Sequence, residues 1–274
     1  MKLAISNIAW SPDQRDAAYA ILQDHGVKGL EIAPGLLFSD HASPRDSDQD
    51  MCDAALHQAA AYGLDICSMQ SLHFGVSNAV LFEDEAARRR LFDTTVDAMG
   101  LAQRLGIGNL VFGSPKNRVI PNDMSPVQAE AIWTAFFRAL GDEAAARGTV
   151  LALETNPTIY DTNFMTTLGV TTEVIRKIDH PAIRLNLDLG AVISTGEIES
   201  VDDWIEDVLP LTNHVHLSVP WLNPLSEFAA EVKQFIFTLD QAGWEGWVSI
   251  EMRSAFEALP DTLDLCNAAI GQAS

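Results

Sequence analysis

Three carboxylates and one imidazole stand at the same place in four short stretches of the chain: Glu154 in VLALETNP, Asp188 in IRLNLDLG, His216 in HVHLSVP and Glu251 in WVSIEMR. Successive side chains of a strand point to opposite faces. Leu151 and Leu153 therefore share one face, while Val150, Ala152 and Glu154 share the other. The same split sets Arg184, Asn186 and Asp188, then His214, His216 and Ser218, then Ser249, Glu251 and Arg253 opposite their greasy neighbours. Three carboxylates brought to one point do not all ionise without a compensating charge. A divalent cation supplies that charge, with His216 as the nitrogen ligand. An oxygen-rich set with one imidazole suits Mn²⁺, Mg²⁺, Co²⁺ or Zn²⁺, and the spacing does not choose among them. Taken singly, each acid also suits an ordinary salt bridge or a helix N-cap. His214 shares the side of His216 and suits either orienting a ligand or touching a substrate.

A polar row of this kind must face something enclosed. Each stretch follows one helical pattern and precedes another, which implies parallel strands with helices over the apolar side. The closed solution is an eight-stranded (β/α)8 barrel whose polar strand ends meet at one mouth. Strand patterns fall at 2–6, 29–33, 65–70, 109–113, the stretch ending at Glu154, 184–188, 214–218 and 247–251. Between them lie helical patterns with their own punctuation: Ser11 and Pro12 with a stop at Gly26, 49–62 before Gly63, 83–105 before Gly106, Ser125 and Pro126 leading to Gly148, 171–178, 201–209, 227–242, and a last helix near Ala269. The inward Glu31 suits either a place close to the mouth or a pairing with a base such as Lys2, and Arg253 is a further residue that could pair with it. A chain of 274 residues matches one such barrel, so 1–274 is expected to be a single domain. The polar segment 39–50 lies inside one repeat and suits a loop.

Composition excludes several classes of function. A hydrophobic share of 47% with 20% charged residues belongs to a globular chain with a core. A net charge of −21 argues against binding nucleic-acid phosphates; a local basic patch around Lys116 and Arg118 is compatible with that charge, and the two residues equally suit a solvated loop face. Cys52, Cys67 and Cys266 make neither a CxxC pair nor a disulfide framework. No run is long enough to span a bilayer, and the start of the chain lacks a signal-peptide pattern. The expectation is a soluble, cytoplasmic protein with no membrane or nucleic-acid partner.

In order and spacing, ALETNP, LDLGA, HVHLS and SIEMR resemble the four metal-ligand stretches of the sugar phosphate isomerase and epimerase superfamily, the xylose isomerase-like TIM barrels. That superfamily includes ketose 3-epimerases, hydroxypyruvate isomerase and endonuclease IV. The resemblance implies Glu154, Asp188, His216 and Glu251 as ligands of one divalent metal. It also implies Glu154 and Glu251 as the acid/base pair of an enediolate mechanism on a carbohydrate substrate. Two positions depart from the pattern: Ala191 stands where many members carry His, and Val219 lies where an acid is common. Rival readings are a dehydratase or lyase on the same site and a sugar-binding barrel without turnover. His73, Lys116, Asn156, His214 and Arg253 are candidate substrate contacts. Trp133, Phe136, Phe137, Trp221 and Phe235 suggest aromatic surface covered by a second copy, hence a homo-oligomer, dimer or tetramer.

Overall fold

Eight parallel strands pair in chain order and the last pairs with the first, closing a barrel. The computed structural model describes residues 1–41, 43–253 and 255–273. The strands are β1 (Lys2–Ser6), β2 (Gly29–Ile32), β3 (Asp65–Met69), β4 (Asn109–Phe112), β5 (Val150–Glu154), β6 (Ile183–Asp188), β7 (Thr212–Leu217) and β8 (Trp247–Ile250). Around them run α1 (Arg15–Asp24), α2 (Pro34–Leu37), α3 (Gln49–Ala61), α4 (Glu85–Leu105), α5 (Pro126–Ala146), α6 (Leu168–Ile178), α7 (Leu189–Thr195), α8 (Val201–Val208), α9 (Ala229–Gln241) and α10 (Leu259–Ala273).

Local chemistry explains the helix starts. In α5 the Ser125 hydroxyl accepts from the Gln128 N–H at 3.3 Å while Gln128 Oε1 accepts from the Ser125 N–H at 3.0 Å, a reciprocal cap with Pro126 at the first position. Asp84 caps α4 by accepting from the Ala87 N–H at 2.7 Å, and Gly106 ends that helix in the left-handed conformation. The greasy rows of the strands then meet these helices. Leu151, Leu153, Leu185, Leu187, Val215, Leu217, Val248 and Ile250 are fully buried in one cluster with Phe137, Leu140, Ile178 and Phe235. Each such burial contributes about 1.5–3 kcal/mol, which sets strand register firmly.

The opposite rows build a polar barrel interior. Asn213 donates to Asn109 Oδ1 at 2.7 Å, Asn109 to Ser68 Oγ at 2.9 Å, and Ser68 to Glu31 Oε2 at 2.6 Å. Gln70 Nε2 donates to Glu31 Oε1 at 3.0 Å and to Ser6 Oγ at 2.8 Å. This answers the question of Glu31's partner, and neither Lys2 nor Arg253 is it. Lys2 instead lies over the Trp247 ring at 5.4 Å.

Two expectations are corrected, and one element is added. Trp133, Phe136, Phe137 and Phe235 are buried within the chain itself, because α5 and α9 press them onto the barrel; of the five aromatic residues only Trp221, at 60%, is exposed. Arg118 is no solvated loop residue but is completely buried. Directly after β6 comes a short helix, α7, which the strand pattern does not announce.

Candidate metal centre

Glu154, Asp188 and His216 end or nearly end β5, β6 and β7, and Glu251 immediately follows β8, held there by its N–H donating to the Leu217 carbonyl at 2.9 Å. Register places Glu154 opposite Asn186 and Asp188 opposite His216, so neighbouring strand ends converge. One ligand atom from each of the four lies within 4.8 Å of all the others.

Each acid is held from the side. Glu154 Oε1 accepts from Asn186 Nδ2 at 2.7 Å and its Oε2 from Asn156 Nδ2 at 3.2 Å. Asp188 Oδ1 caps α7 by accepting from the Ala191 N–H at 2.6 Å, and its Oδ2 accepts from Ser218 Oγ at 2.6 Å. The N-cap role and the cluster role therefore coexist in one carboxylate. His216 Nε2 lies 3.0 Å from Glu31 Oε2, across the barrel. Its Nδ1 points between Glu154 Oε1, at 3.1 Å, and Glu251 Oε2, at 3.3 Å, yet is aligned for a hydrogen bond with neither.

The electrostatics follow from burial and crowding. Burial pushes Asp188 up to about 8, reinforced by Glu154 and Glu251. Burial also raises Glu251, against the pull of His216. For His216 burial works downward, but Glu31 and Glu251 overcome it and hold the imidazole well above its ordinary value. Glu31 is the converse case: burial works upward, and His216 overcomes it to hold the carboxyl at about 2. Without metal, protons held by these groups thus offset the crowded negative charge.

The residues fit a divalent cation. Three carboxylates and an imidazole nitrogen without a hydrogen bond converge on one point, and Glu31 fixes the ring through its other nitrogen, as carboxylates do behind metal-bound histidines. Glu31, His214 and His216 form a second group with atoms within 4.8 Å. There Ser68, Gln70 and Ser249 already occupy the oxygen and nitrogen atoms, so protein groups satisfy it.

The family profile of the xylose isomerase-like TIM barrel matches residues 19–268. The chain belongs to that family. No curated protein sequence matches it. Among solved structures it is similar to the apo 3-keto-D-glucoside 4-epimerase YcjR from E. coli, at 19% identity and a TM-score of 0.76, covering 98% of this chain and 99% of that one. It is also similar to a D-psicose 3-epimerase from Clostridium cellulolyticum H10 crystallised with D-tagatose, at 14% identity and TM-score 0.75, covering 100% and 98%. A third likeness is to an IolI protein with bound zinc, at 16% identity and TM-score 0.69, covering 100% and 98%. At these identities the likeness is one of fold.

In this xylose isomerase-like barrel Glu154, His216 and Glu251 of the cluster line a cavity of about 390 Å³, whose wall also includes His73, Phe74 and Lys116. His73 lines it but is buried, with Nε2 2.9 Å from Thr95 Oγ1 and its ring against Phe112; burial lowers it to about 3, so it is neutral. Lys116 stands on the wall. Asn156 does not line the cavity and holds Glu154 instead. His214 lies deeper, 2.8 Å from Ser249 Oγ, and burial lowers it to about 4. Arg253 falls outside the cavity and is exposed. Strand β8 ends at Ile250, so the alternation that would have placed Arg253 beside Glu251 no longer holds.

Asn186 and Ser218 were visible on the polar rows, but their task of fixing Glu154 and Asp188 was not. Gly113 carried no signal at all, yet a Cβ there would lie 2.3 Å from Glu154 Oε2.

Proposed function

We propose that the chain is a divalent-metal-dependent isomerase or epimerase that moves a proton beside the carbonyl of a sugar or sugar derivative. In this reading 1–274 is a single barrel domain that holds the site. The observation that supports it most is the convergence of His216 Nδ1, which has no aligned hydrogen bond, with the carboxylates of Glu154, Asp188 and Glu251 beside a polar cavity. The names of similar structures, a 3-keto-D-glucoside 4-epimerase and a D-psicose 3-epimerase, lend support to carbohydrate chemistry.

In this reading Glu154, Asp188, His216 and Glu251 hold one Mn²⁺, Mg²⁺, Co²⁺ or Zn²⁺. When bound, the ion polarises the carbonyl and adjacent hydroxyl of the substrate and makes the neighbouring C–H more acidic. Glu154, at the end of β5, and Glu251, just past β8, reach the cluster from different strand ends. One carboxylate takes the proton from carbon, and the other delivers a proton to the resulting enediolate. Asn186 and Asn156 fix Glu154, while Ser218 and the α7 N-terminus fix Asp188, so the acids keep their geometry as charge moves. His73, neutral, and Lys116 meet substrate oxygens at the cavity wall.

The test is deuterium wash-in from D₂O over a panel of ketoses and keto acids, with Mn²⁺ and with a chelator. Metal-dependent exchange together with an epimer or isomer product is the expected outcome. Exchange accompanied by water loss would reassign the site to elimination. No exchange across the panel with metal bound would leave a sugar-binding barrel and overturn the proposal.

A further inference from the structure

Among the described residues Arg118 is the largest fully buried side chain, and none of its three guanidinium nitrogens has a hydrogen-bond partner there. Among the described residues it forms no ion pair. A buried cation without partners costs several kcal/mol, so its retention needs a physical reason. Its place in the fold supplies one. Arg118 closes the turn Pro115–Asn117 that follows β4, its N–H donating to the Pro115 carbonyl at 3.3 Å. Strand β4 pairs with β5, whose last residue is Glu154, and Gly113, at the start of this loop, packs against the Glu154 carboxylate.

The loop is tied on both flanks. The Asn117 carbonyl accepts from the Leu81 N–H at 2.8 Å. Beyond Arg118, the Asn163 side chain accepts from the Ile120 N–H at 2.8 Å and donates to its carbonyl at 2.9 Å, joining the loops after β4 and β5. Arg118 is therefore anchored, fully buried, in the loop that packs against Glu154. Burial lowers it only to about 10, with Glu154 working in its favour, so it stays a cation throughout the neutral range.

Charge counting shows what such a cation does there. Four carboxylates, Glu31, Glu154, Asp188 and Glu251, surround the cluster; with a dication bound and one of the acid/base pair holding the proton it delivers, one excess negative charge remains, and passing a proton from carbon to the other carboxylate moves that charge without changing the total. In a site this buried each unit matters, because screening is weak. We propose that Arg118 is the buried counter-charge of the metal centre. It is a positioning residue that touches no reacting atom and acts through the field it adds at Glu154, bringing the loaded centre to neutrality before the substrate gives up its proton. The inference rests on the proposed metal-dependent reading.

The test titrates chelator-treated protein with Mn²⁺ by calorimetry and follows D₂O exchange in the same preparations. Wild type comes first: failure to bind Mn²⁺ would defeat the metal reading itself, and with it this one. In Arg118→Met, loss of a positive charge that repels the dication should tighten Mn²⁺ binding about tenfold. Exchange should fall at least tenfold in kcat with KM within about threefold. Arg118→Lys keeps the charge and should restore both values to within about threefold of wild type. Because the thioether removes a buried unpaired charge, the Met variant should melt no lower than wild type; Arg118→Gln serves the same comparison if Met does not pack. Wild-type metal binding combined with unchanged or weakened Mn²⁺ affinity in the folded neutral variant would overturn the inference, as would Lys behaving like Met.

Discussion

A carboxylate that both holds a cation and moves a proton has two separable jobs. Glu251→Gln keeps three native ligands and loses the ability to accept a proton at neutral pH. It should therefore retain Mn²⁺ in calorimetry while exchange at one face of the substrate falls at least a hundredfold. Full exchange with metal bound would make Glu251 a ligand only and move the base elsewhere, with His73 on the cavity wall next to test. Asp188→Asn should act mainly on affinity, so that added Mn²⁺ restores part of the rate. His216→Ala should do the same more severely, since the nitrogen ligand is gone. Behind the ring stands Glu31, the acceptor for Nε2 at 3.0 Å. Glu31→Gln leaves a neutral partner that polarises the imidazole less, and Mn²⁺ affinity should fall about 10- to 100-fold. An unchanged affinity would show that Glu31 serves only the hydrogen-bonded barrel interior.

At the scale of elements, Gly113 separates site geometry from fold stability. A Cβ there meets Glu154 Oε2 at 2.3 Å and Cδ at 3.2 Å, the far end of a flexible side chain. Gly113→Ala should displace that carboxylate, costing at least tenfold in exchange rate and less than about 1 kcal/mol of stability in urea titrations. Gly29→Ala is the contrast, since its Cβ would meet Ala4 Cβ at 2.5 Å and the Trp247 ring at 2.6 Å within the packed barrel. Overpacking of that kind costs about 1–3 kcal/mol. Equal stability losses in the two variants would refute this division. The same distinction governs what could be seen in the chain beforehand. The barrel and the convergence of Glu154, Asp188, His216 and Glu251 were legible because a period of two, repeated between helices, assigns faces without knowing distances. Arg253 misled because alternation was carried past the end of β8. The aromatic residues of α5 misled because bulk was counted without the space that the barrel offers them. Arg118 and Gly113 were opaque for a different reason: the burial of the one and the closeness of the other to Glu154 depend on how neighbouring strands and loops pack, and one stretch of sequence holds only one side of that packing.

For the whole molecule, the buried titrating groups divide into two sets with opposite effects on stability. His73 and His214 are held neutral at about 3 and about 4, below their ordinary 6.5. Between those values and 6.5 the unfolded chain binds protons that the folded chain refuses. Their contribution is therefore complete above about 6.5 and is lost as pH falls toward 4, at about 1.4 kcal/mol per pH unit for each proton. Asp188, raised from 3.8 to about 8, and His216, raised well above 6.5, act the other way. The folded chain holds their protons more tightly, so their stabilisation is present at low pH and drains as pH climbs through the folded values. From 6.5 to 8.5 the first pair has finished titrating and the second is losing its contribution. Stability of the metal-free protein should fall across that window. A bound dication changes the account, because it takes the place of those protons and binds more tightly as they leave. General repulsion from a net charge of −21 also grows with pH, but metal-free and loaded protein share nearly all of it, so the difference between them isolates the centre. Thermal melts at constant ionic strength, with chelator and with excess Mn²⁺, should diverge steadily from pH 6.5 to 8.5, the loaded protein gaining on the free one. Parallel curves would mean that Asp188 and His216 do not exchange their protons for the ion, and the metal assignment of the cluster would fall with them.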